Sequence, residues 1–207
     1  IVAQVPSPRS VLGFEPTDDK TIADWGQIVD YFGKLGAASP KVEVREIGKT
    51  TNGAPLIVAF ISSPQNIRNL EKYRQISAKL ADPRTIRDEA ELAGLIRDGK
   101  SIVSISCSIH STEIVASQMS MNLAYQLATA TDADTKEILD NTILLLIPSS
   151  NPDGIKIVAD WYRKTLGTKS EGTTPPELYH HYAGHDNNRD WFMLNLVETQ
   201  AINRLFW

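Results

Sequence analysis

The chain has 207 residues, of which 42% are hydrophobic and 22% charged, so it can bury a sizeable core, and this composition argues against wholesale disorder. Its 21 basic and 25 acidic residues give a net charge of −4, without the basic blocks of a nucleic-acid-binding protein. Cys107 is the single cysteine, which excludes an internal disulfide, and no apolar run approaches the ~20 residues of a membrane span.

The N-terminal residues 1–16 are predicted to form a lead segment before a folded part at 17–207. The first ten residues are apolar and then rich in Pro and Ser, as at the trailing end of a cleaved signal peptide. A basic n-region and a full apolar h-region are both missing from this segment. Because the apolar, Pro- and Ser-rich start resembles the end of a signal peptide, we expect an exported protein, periplasmic or extracellular. A single cysteine fits a cytoplasmic protein equally well.

The segment after the lead is predicted to be an amphipathic helix. Thr17 is a plausible N-cap, and Gly36 marks the exit. Residues 41–63 then predict two strands, because the Asn52-Gly53 dipeptide between them is a strong hairpin signal. The apolar face of the predicted helix consists of Ile22, Trp25, Ile28, Val29, Phe32 and Leu35.

The middle of the chain predicts alternating helices and strands. Residues 63–83 and 84–99 are predicted to be helical. Residues 101–109 form an uncharged strand of the kind that is covered on both faces, and a helix at 113–129 separates it from a second apolar strand at 141–150. This order predicts an α/β three-layer sandwich with a mixed, largely parallel central sheet and helices on both faces.

His110 and Glu113 stand where the first apolar strand gives way to the next helix. In open α/β sheets, ligands bind beyond the carboxyl ends of the strands. An imidazole and a carboxylate at this spacing can point at one metal ion, and zinc accepts both. The pair alone is weakly specific, because the helix dipole favours an acid in the first turn anyway.

Three further short segments follow the second apolar strand. They are N-P-D-G at 151–154, the aromatic-flanked arginine of W-Y-R-K at 161–164, and D-N-N-R at 186–189. Each alone has an ordinary structural explanation, as a turn, a solvated charge or a capping cluster. In this order after H-x-x-E, from about residue 42 to the end, they resemble the zinc carboxypeptidase family (M14 metallopeptidases). The resemblance implies a carboxypeptidase-like fold, truncated at the C-terminus.

The resemblance assigns the metal site residue by residue. It implies one Zn²⁺ per complete catalytic domain, with His110 and Glu113 as two of its ligands. Asp186 matches the acid that hydrogen-bonds the first zinc histidine and so fixes its tautomer and orientation.

The same resemblance assigns the substrate-binding groups. Arg163 matches the arginine that polarises the scissile carbonyl and stabilises the oxyanion. Asn188 and Arg189 match the pair that binds the terminal carboxylate, for which a planar guanidinium is well suited. The implied reaction is the hydrolysis of a C-terminal peptide bond, and the implied partner is a peptide or peptide-like substrate with a free C-terminal carboxylate.

Two parts of the family's site have no match in the sequence. The third zinc ligand is a histidine after the D-x-N-R segment, but no histidine follows Arg189. The general base is a glutamate much nearer the C-terminus, and Glu198 is not assigned to that role. The remaining histidines precede the carboxylate clamp formed by Asn188 and Arg189, and we expect them to be loop residues. They are His180, His181 and His185. We expect an N-terminal portion of a longer peptidase, inactive alone.

Other functions stay open at this point. An M14-like deacylase or amidase could act on small amides or cell-wall peptides, and a catalytically dead module could retain only the carboxylate clamp. A cysteine hydrolase built on Cys107 is disfavoured, because a thiol within a strand is usually inert packing.

Overall fold

The computed structural model describes residues 4–177 and 187–206. Within these ranges, helices surround one four-stranded sheet. The strands are β1 (Val42–Lys49), β2 (Pro55–Ile61), β3 (Ser101–Ser106) and β4 (Thr142–Ile147). The α-helices in the described ranges are α1 (Pro8–Leu12), α2 (Trp25–Ala38), α3 (Pro64–Ile67), α4 (Leu70–Ala81), α5 (Glu89–Asp98), α6 (Ile114–Thr129), α7 (Ala133–Asn141), α8 (Pro152–Thr165) and α9 (Val197–Asn203).

The sheet has the strand order β1-β2-β4-β3. β1 and β4 both run antiparallel to β2, whereas β3 runs parallel to β4. The predicted α/β fold with a mixed sheet is therefore confirmed. Its largely parallel character is not met by the described strands, because the tight β1–β2 hairpin reverses the chain before the parallel β3–β4 pair begins.

Helices cover both faces of the sheet, because successive side chains of its inner strands point in opposite directions. On β2, Leu56 and Val58 face the core beneath α4 and α9, while Ile57 and Ala59 face the core beneath α2 and α6. β4 divides its apolar residues between the two cores in the same way. The predicted three-layer arrangement follows from this alternation.

The first long helix begins later than its sequence predicts. Asp24, not Thr17, is the N-cap of α2, and it forms a capping box in which Gln27 N donates to Asp24 Oδ1 and Asp24 N donates to Gln27 Oε1. The apolar face was predicted correctly, with Ile28, Phe32 and other members buried. Reciprocal capping by two side chains outweighs the weaker signal at Thr17.

The prediction that the strand at 101–109 is covered on both faces is wrong. In the part of the chain that the structure describes, β3 is an edge strand, and Ile102 and Val103, whose side chains point to opposite faces, are 45% and 43% exposed. An uncharged composition indicates tolerance of burial but does not supply the layer that buries the strand. β4, which lies between two strands, is buried as predicted.

The helices at α7 and α8 were not predicted. The N-P-D-G segment is the start of α8 rather than a simple turn: Asn151 is the N-cap and Pro152 lies at the first helical position.

Within the described ranges, no helix is long and apolar enough to cross a membrane.

Candidate metal and substrate site

The carboxyl ends of β3 and β4 lie side by side, and hydrogen bonds join the segments that follow them. Cys107 N donates to Ile147 O at 3.0 Å, and Ser150 N donates to Cys107 O at 2.9 Å. The hydroxyls of Ser106 and Ser150 also bond to each other. The H-x-x-E and N-P-D-G segments therefore leave the same edge of the sheet, where a ligand site was expected.

His110 and Glu113 face each other across a tight turn. Glu113 N donates to His110 O at 3.0 Å, and His110 Nδ1 lies 3.1 Å from Glu113 Oε1. The two side chains are 33% and 61% exposed, so solutes can reach both. Glu113 is the N-cap residue of α6, although its side chain does not bond to the helix. Its carboxylate is thus directed to the imidazole instead.

The spacing of this pair is that of an ordinary hydrogen bond, and it is also compatible with two ligands of one zinc ion. With Zn–N and Zn–O bonds of about 2.0–2.2 Å, two ligands of a tetrahedral ion stand about 3.3 Å apart. The observed 3.1 Å separation is close to that value. A catalytic zinc site usually takes three protein ligands, and no cluster of three or more His, Cys, Asp or Glu suited to a metal occurs in the described ranges.

Two serines hold the backbone of the His110 turn. Ser108 has a left-handed backbone with φ of 45°, and its hydroxyl donates to Glu113 O at 2.9 Å. Ser117 on α6 donates from its hydroxyl to Pro148 O at 2.7 Å and from its N–H to Ser108 Oγ at 3.1 Å. These bonds tie the turn to both α6 and the exit of β4.

The N-terminus of α8 connects this edge to the β1–β2 hairpin. The buried Asp153 carboxylate accepts from Thr50 Oγ1 at 2.7 Å and from Asn52 N at 2.9 Å. Asn151 Oδ1 accepts from Gly154 N at 3.1 Å and caps the helix. Asp153 is therefore a structural anchor of the hairpin.

Gly154 packs directly against the His110 turn. A Cβ atom built on Gly154 would lie 2.6 Å from Ser111 Oγ and 2.7 Å from Ser111 Cβ, closer than real contacts allow. Ser111 is the residue after His110, and only 1% of its surface is exposed. The glycine of N-P-D-G thus permits the close approach of α8 to the H-x-x-E segment.

The D-N-N-R segment docks on the same edge through Asn187. This residue is fully buried, and its Nδ2 donates to Ser150 O at 3.0 Å. Asn188 and Arg189, which follow it in one 3-10 turn, are both exposed. The buried Asp190 then fixes the next loop by accepting from the N–H groups of Asn195 and Leu196. Arg189 is therefore an exposed cation on a well-anchored turn.

Arg163 lies near the C-terminal end of α8 and contacts the start of α2. Its guanidinium donates to Asp24 Oδ2 at 2.8 Å, to Gln27 Oε1 at 2.8 Å and to Ile22 O at 3.0 Å. Burial alone would raise the pKa of the Asp24 carboxyl, but hydrogen bonds from Arg163 and Gln27 N hold that pKa below its ordinary value. Arg163 thus joins two helices, and its catalytic role stays a prediction.

Several predicted residues lie outside the described ranges. Asp186 is one of them, so its expected contact with a zinc ligand stays a prediction, and the three later histidines fall in the same gap.

Glu198, which was left unassigned, lies within the described ranges. It is buried and accepts a hydrogen bond from Thr51 N at 2.7 Å, beside the β1–β2 hairpin.

Cys107 has the environment of a packing residue. It is buried in the core on the α2 and α6 side of the sheet. Burial raises the pKa of its thiol to about 11, which leaves little thiolate near neutral pH. This supports the expectation that Cys107 is not a nucleophile.

The sequence of the chain matches the model of one protein family. The model of the zinc carboxypeptidases matches residues 28–203, which is most of the chain and includes every motif segment described above. The chain belongs to the zinc carboxypeptidase family. No curated protein matches this family member significantly.

Solved structures show the zinc carboxypeptidase fold as well. Thrombin-activatable fibrinolysis inhibitor is similar with a TM-score of 0.55 at 12% identity, over 96% of this chain and 48% of that one. Carboxypeptidase A from Helicoverpa armigera has a TM-score of 0.54 at 14% identity, over 96% and 47%. A Burkholderia mallei protein described as a putative carboxypeptidase has a TM-score of 0.53 at 17% identity, over 86% and 34%. The chain thus spans half or less of the length of these carboxypeptidases.

Sequence reasoning missed the residues that join the motif segments of this zinc carboxypeptidase chain. Ser111 and Asn187 occupy variable-looking positions within H-x-x-E and D-x-N-R, yet both are buried contacts. Asn151 and Gly154 were recognised as turn residues only. A usable signal was the small or amide side chain at each position, since these types suit close approach and buried hydrogen bonding.

Proposed function

We propose that the complete protein is a zinc-dependent carboxypeptidase that hydrolyses C-terminal peptide bonds. Family membership supports this proposal, and so does one structural observation at a single edge of the sheet. There, Ser111 of H-x-x-E packs against Gly154 of N-P-D-G. Asn187 of N-N-R bonds to Ser150, the residue that precedes N-P-D-G. That edge lies at the carboxyl ends of β3 and β4, where α/β proteins commonly bind ligands.

The proposed zinc ligands on this chain are His110 and Glu113. Their 3.1 Å separation and their exposure are both compatible with a shared ion. Zinc would supply Lewis acidity toward the scissile carbonyl. In this proposal, Asp186 orients the His110 imidazole by accepting a hydrogen bond from it.

The proposed role of Asn188 and Arg189 is to bind the terminal carboxylate of the substrate. Arg189 suits this role because it is exposed and because Asn187 and Asp190, on either side, anchor its turn. A fixed guanidinium can donate two parallel hydrogen bonds to a carboxylate. Arg163 is proposed to stabilise negative charge on the carbonyl oxygen, a role that must compete with its three bonds to the start of α2.

The chain spans about half the length of the carboxypeptidases that it resembles in structure. The third zinc ligand and the general base are proposed to lie elsewhere in the complete protein. We accordingly propose that the 207 residues alone bind zinc weakly and are inactive.

We also propose that the protein is exported, because its lead segment is apolar and then rich in Pro and Ser. Detection of the protein only in the cytoplasm would contradict this proposal.

The decisive experiment measures zinc content and carboxypeptidase activity of the full-length protein. We expect about one zinc per protein and release of the C-terminal residue from a free peptide. His110→Ala and Glu113→Gln should both abolish stoichiometric zinc. Glu89→Gln is the matched control, because Glu89 is an exposed acid at the start of another helix, α5. Full zinc retention by His110→Ala would refute the ligand assignment.

A further inference from the structure

Three buried polar atoms at the joined edge have no hydrogen-bond partner in the described part of the chain. They are Ser111 Oγ, Asn151 Nδ2 and Asn187 Oδ1, and the three residues are at most 2% exposed. Each belongs to a different motif segment. Buried polar groups are nearly always paired in folded proteins, either with protein or with ordered water, so three exceptions in one place indicate a common partner.

Two of these atoms lie close together, and the residue that carries the third is bonded to the neighbouring stretch of chain. Ser111 Oγ and Asn151 Nδ2 stand 2.6 Å and 2.7 Å from the same point, the position of a Cβ built on Gly154. The third atom, Asn187 Oδ1, belongs to a side chain that is held beside Asn151, since Asn187 Nδ2 donates to the carbonyl of the preceding residue, Ser150. The roles of the amide atoms are fixed, because Asn151 Oδ1 already accepts from Gly154 N.

We propose that Ser111, Asn151 and Asn187 bind one internal water molecule that joins the three motif segments. The chemistry of the atoms is complementary for this ligand. Asn151 Nδ2 is a donor, Asn187 Oδ1 is an acceptor and the Ser111 hydroxyl can be either. A buried water typically makes about three hydrogen bonds, and this set supplies that number. A cation would be repelled by the amide donor.

The bound water makes Ser111 a positioning residue for its neighbour His110. The His110 turn is fixed to α6 and to the exit of β4 by Ser108 and Ser117, but its contact with the 187–189 turn runs through this water. The effect on metal binding rests on the proposed function. The water site itself does not, because it depends only on the three buried atoms.

A high-resolution crystal structure tests the water site directly. We expect one ordered water within about 3.2 Å of all three atoms. Direct hydrogen bonds among the three side chains, with no water in contact with them, would overturn the proposal. Ser111→Ala should lose this water or leave it with two partners.

Hydrogen exchange and cobalt(II) titration test the positioning role. In Ser111→Ala, exchange of the Glu113 N–H should accelerate about tenfold and cobalt(II) affinity should fall about tenfold, as for other residues that orient metal ligands. Ser120→Ala is the matched control, since this buried hydroxyl bonds only within α6. Equal effects in both variants would overturn the role. Should the unmutated protein bind no cobalt, the proposed function fails, while exchange and crystallography still decide the inference.

Discussion

Gly154 and Ser111 approach each other so closely that glycine is required at position 154. A Cβ there would meet Ser111 Oγ at 2.6 Å and Ser111 Cβ, which is bonded directly to the backbone of the His110 turn, at 2.7 Å. The turn is also bonded to α6 and to the exit of β4, so it has little freedom to retreat. This contact couples the helix that begins at N-P-D-G to the turn that carries the proposed zinc ligands.

We expect Gly154→Ala to destabilise the protein by about 2–3 kcal/mol, the cost of overpacking a well-filled site. The measurement is chemical denaturation. Gly33→Ala is the control, because Gly33 lies inside α2 and a Cβ there meets nothing within 4 Å. That variant should gain about 0.5–1 kcal/mol from the better helix propensity of alanine. A stabilised Gly154→Ala protein would show that the close contact is wrong.

The ion pair of Asp24 with Arg163 predicts a dependence of stability on acid pH. A carboxyl whose pKa is lowered by folding adds stability above its unfolded pKa, about 3.9, and this contribution is lost as the pH falls through the folded value. Asp24→Asn keeps a good N-cap but removes the charge.

The unfolding free energy of Asp24→Asn should therefore fall less steeply below about pH 4 than that of the unmutated protein. Urea denaturation at several pH values measures this difference. Asp19→Asn, which removes an exposed acid nearby, is the control for the change in net charge. The ion pair would be contradicted if both variants gave the same curve.

Arg163 has contacts that explain a structural role, so its proposed catalytic role needs a separate measurement. Arg163→Ala should cost about 1–2 kcal/mol of stability, because charged hydrogen bonds to Asp24 and Gln27 are lost. If Arg163 also stabilises the oxyanion, kcat of the full-length enzyme should fall about 10²–10³-fold.

The matched variant for Arg163 is Asp24→Ala, which breaks the same ion pair from the other side. It should lower stability similarly while kcat, measured well below the unfolding temperature, stays within about twofold of the unmutated value, since Asp24 has no proposed contact with substrate. Equal losses of kcat in the two variants would assign Arg163 to structure alone.

The parts of the fold that the sequence predicted are those with a local signal. The Asn52-Gly53 hairpin and the apolar face of α2 depend on turn chemistry and periodicity, and both are observed. The burial of β3 was wrong, because an edge strand and a central strand can share one composition.

Within the site, the order of motifs was sufficient to recognise the family, but the contacts between motifs were not predictable. The packing of Ser111 on Gly154 joins residues 43 positions apart, and it depends on how α8 leaves β4. The bonds of Arg163 to Asp24 and Gln27 span an even longer stretch of chain. Such pairings are set by the tertiary fold, and a single sequence carries no signal for them.

The proposed carboxylate clamp gives a prediction about substrate termini. In the full-length enzyme, Arg189→Ala should weaken kcat/KM for peptides with a free C-terminus about 10–100-fold, the range expected for loss of a charged hydrogen bond. C-terminally amidated peptides should be affected little, because they offer no carboxylate. Arg189→Lys should recover only part of the loss, since an ammonium cannot donate in the planar, paired geometry of a guanidinium.

The control for the change in net charge is Arg204→Ala, which removes an exposed arginine beyond α9. Equal losses on free and amidated peptides would contradict the clamp and favour an amidase that does not recognise a terminal carboxylate. Peptide binding without any turnover by the unmutated protein would instead favour a catalytically inactive carboxylate-binding module.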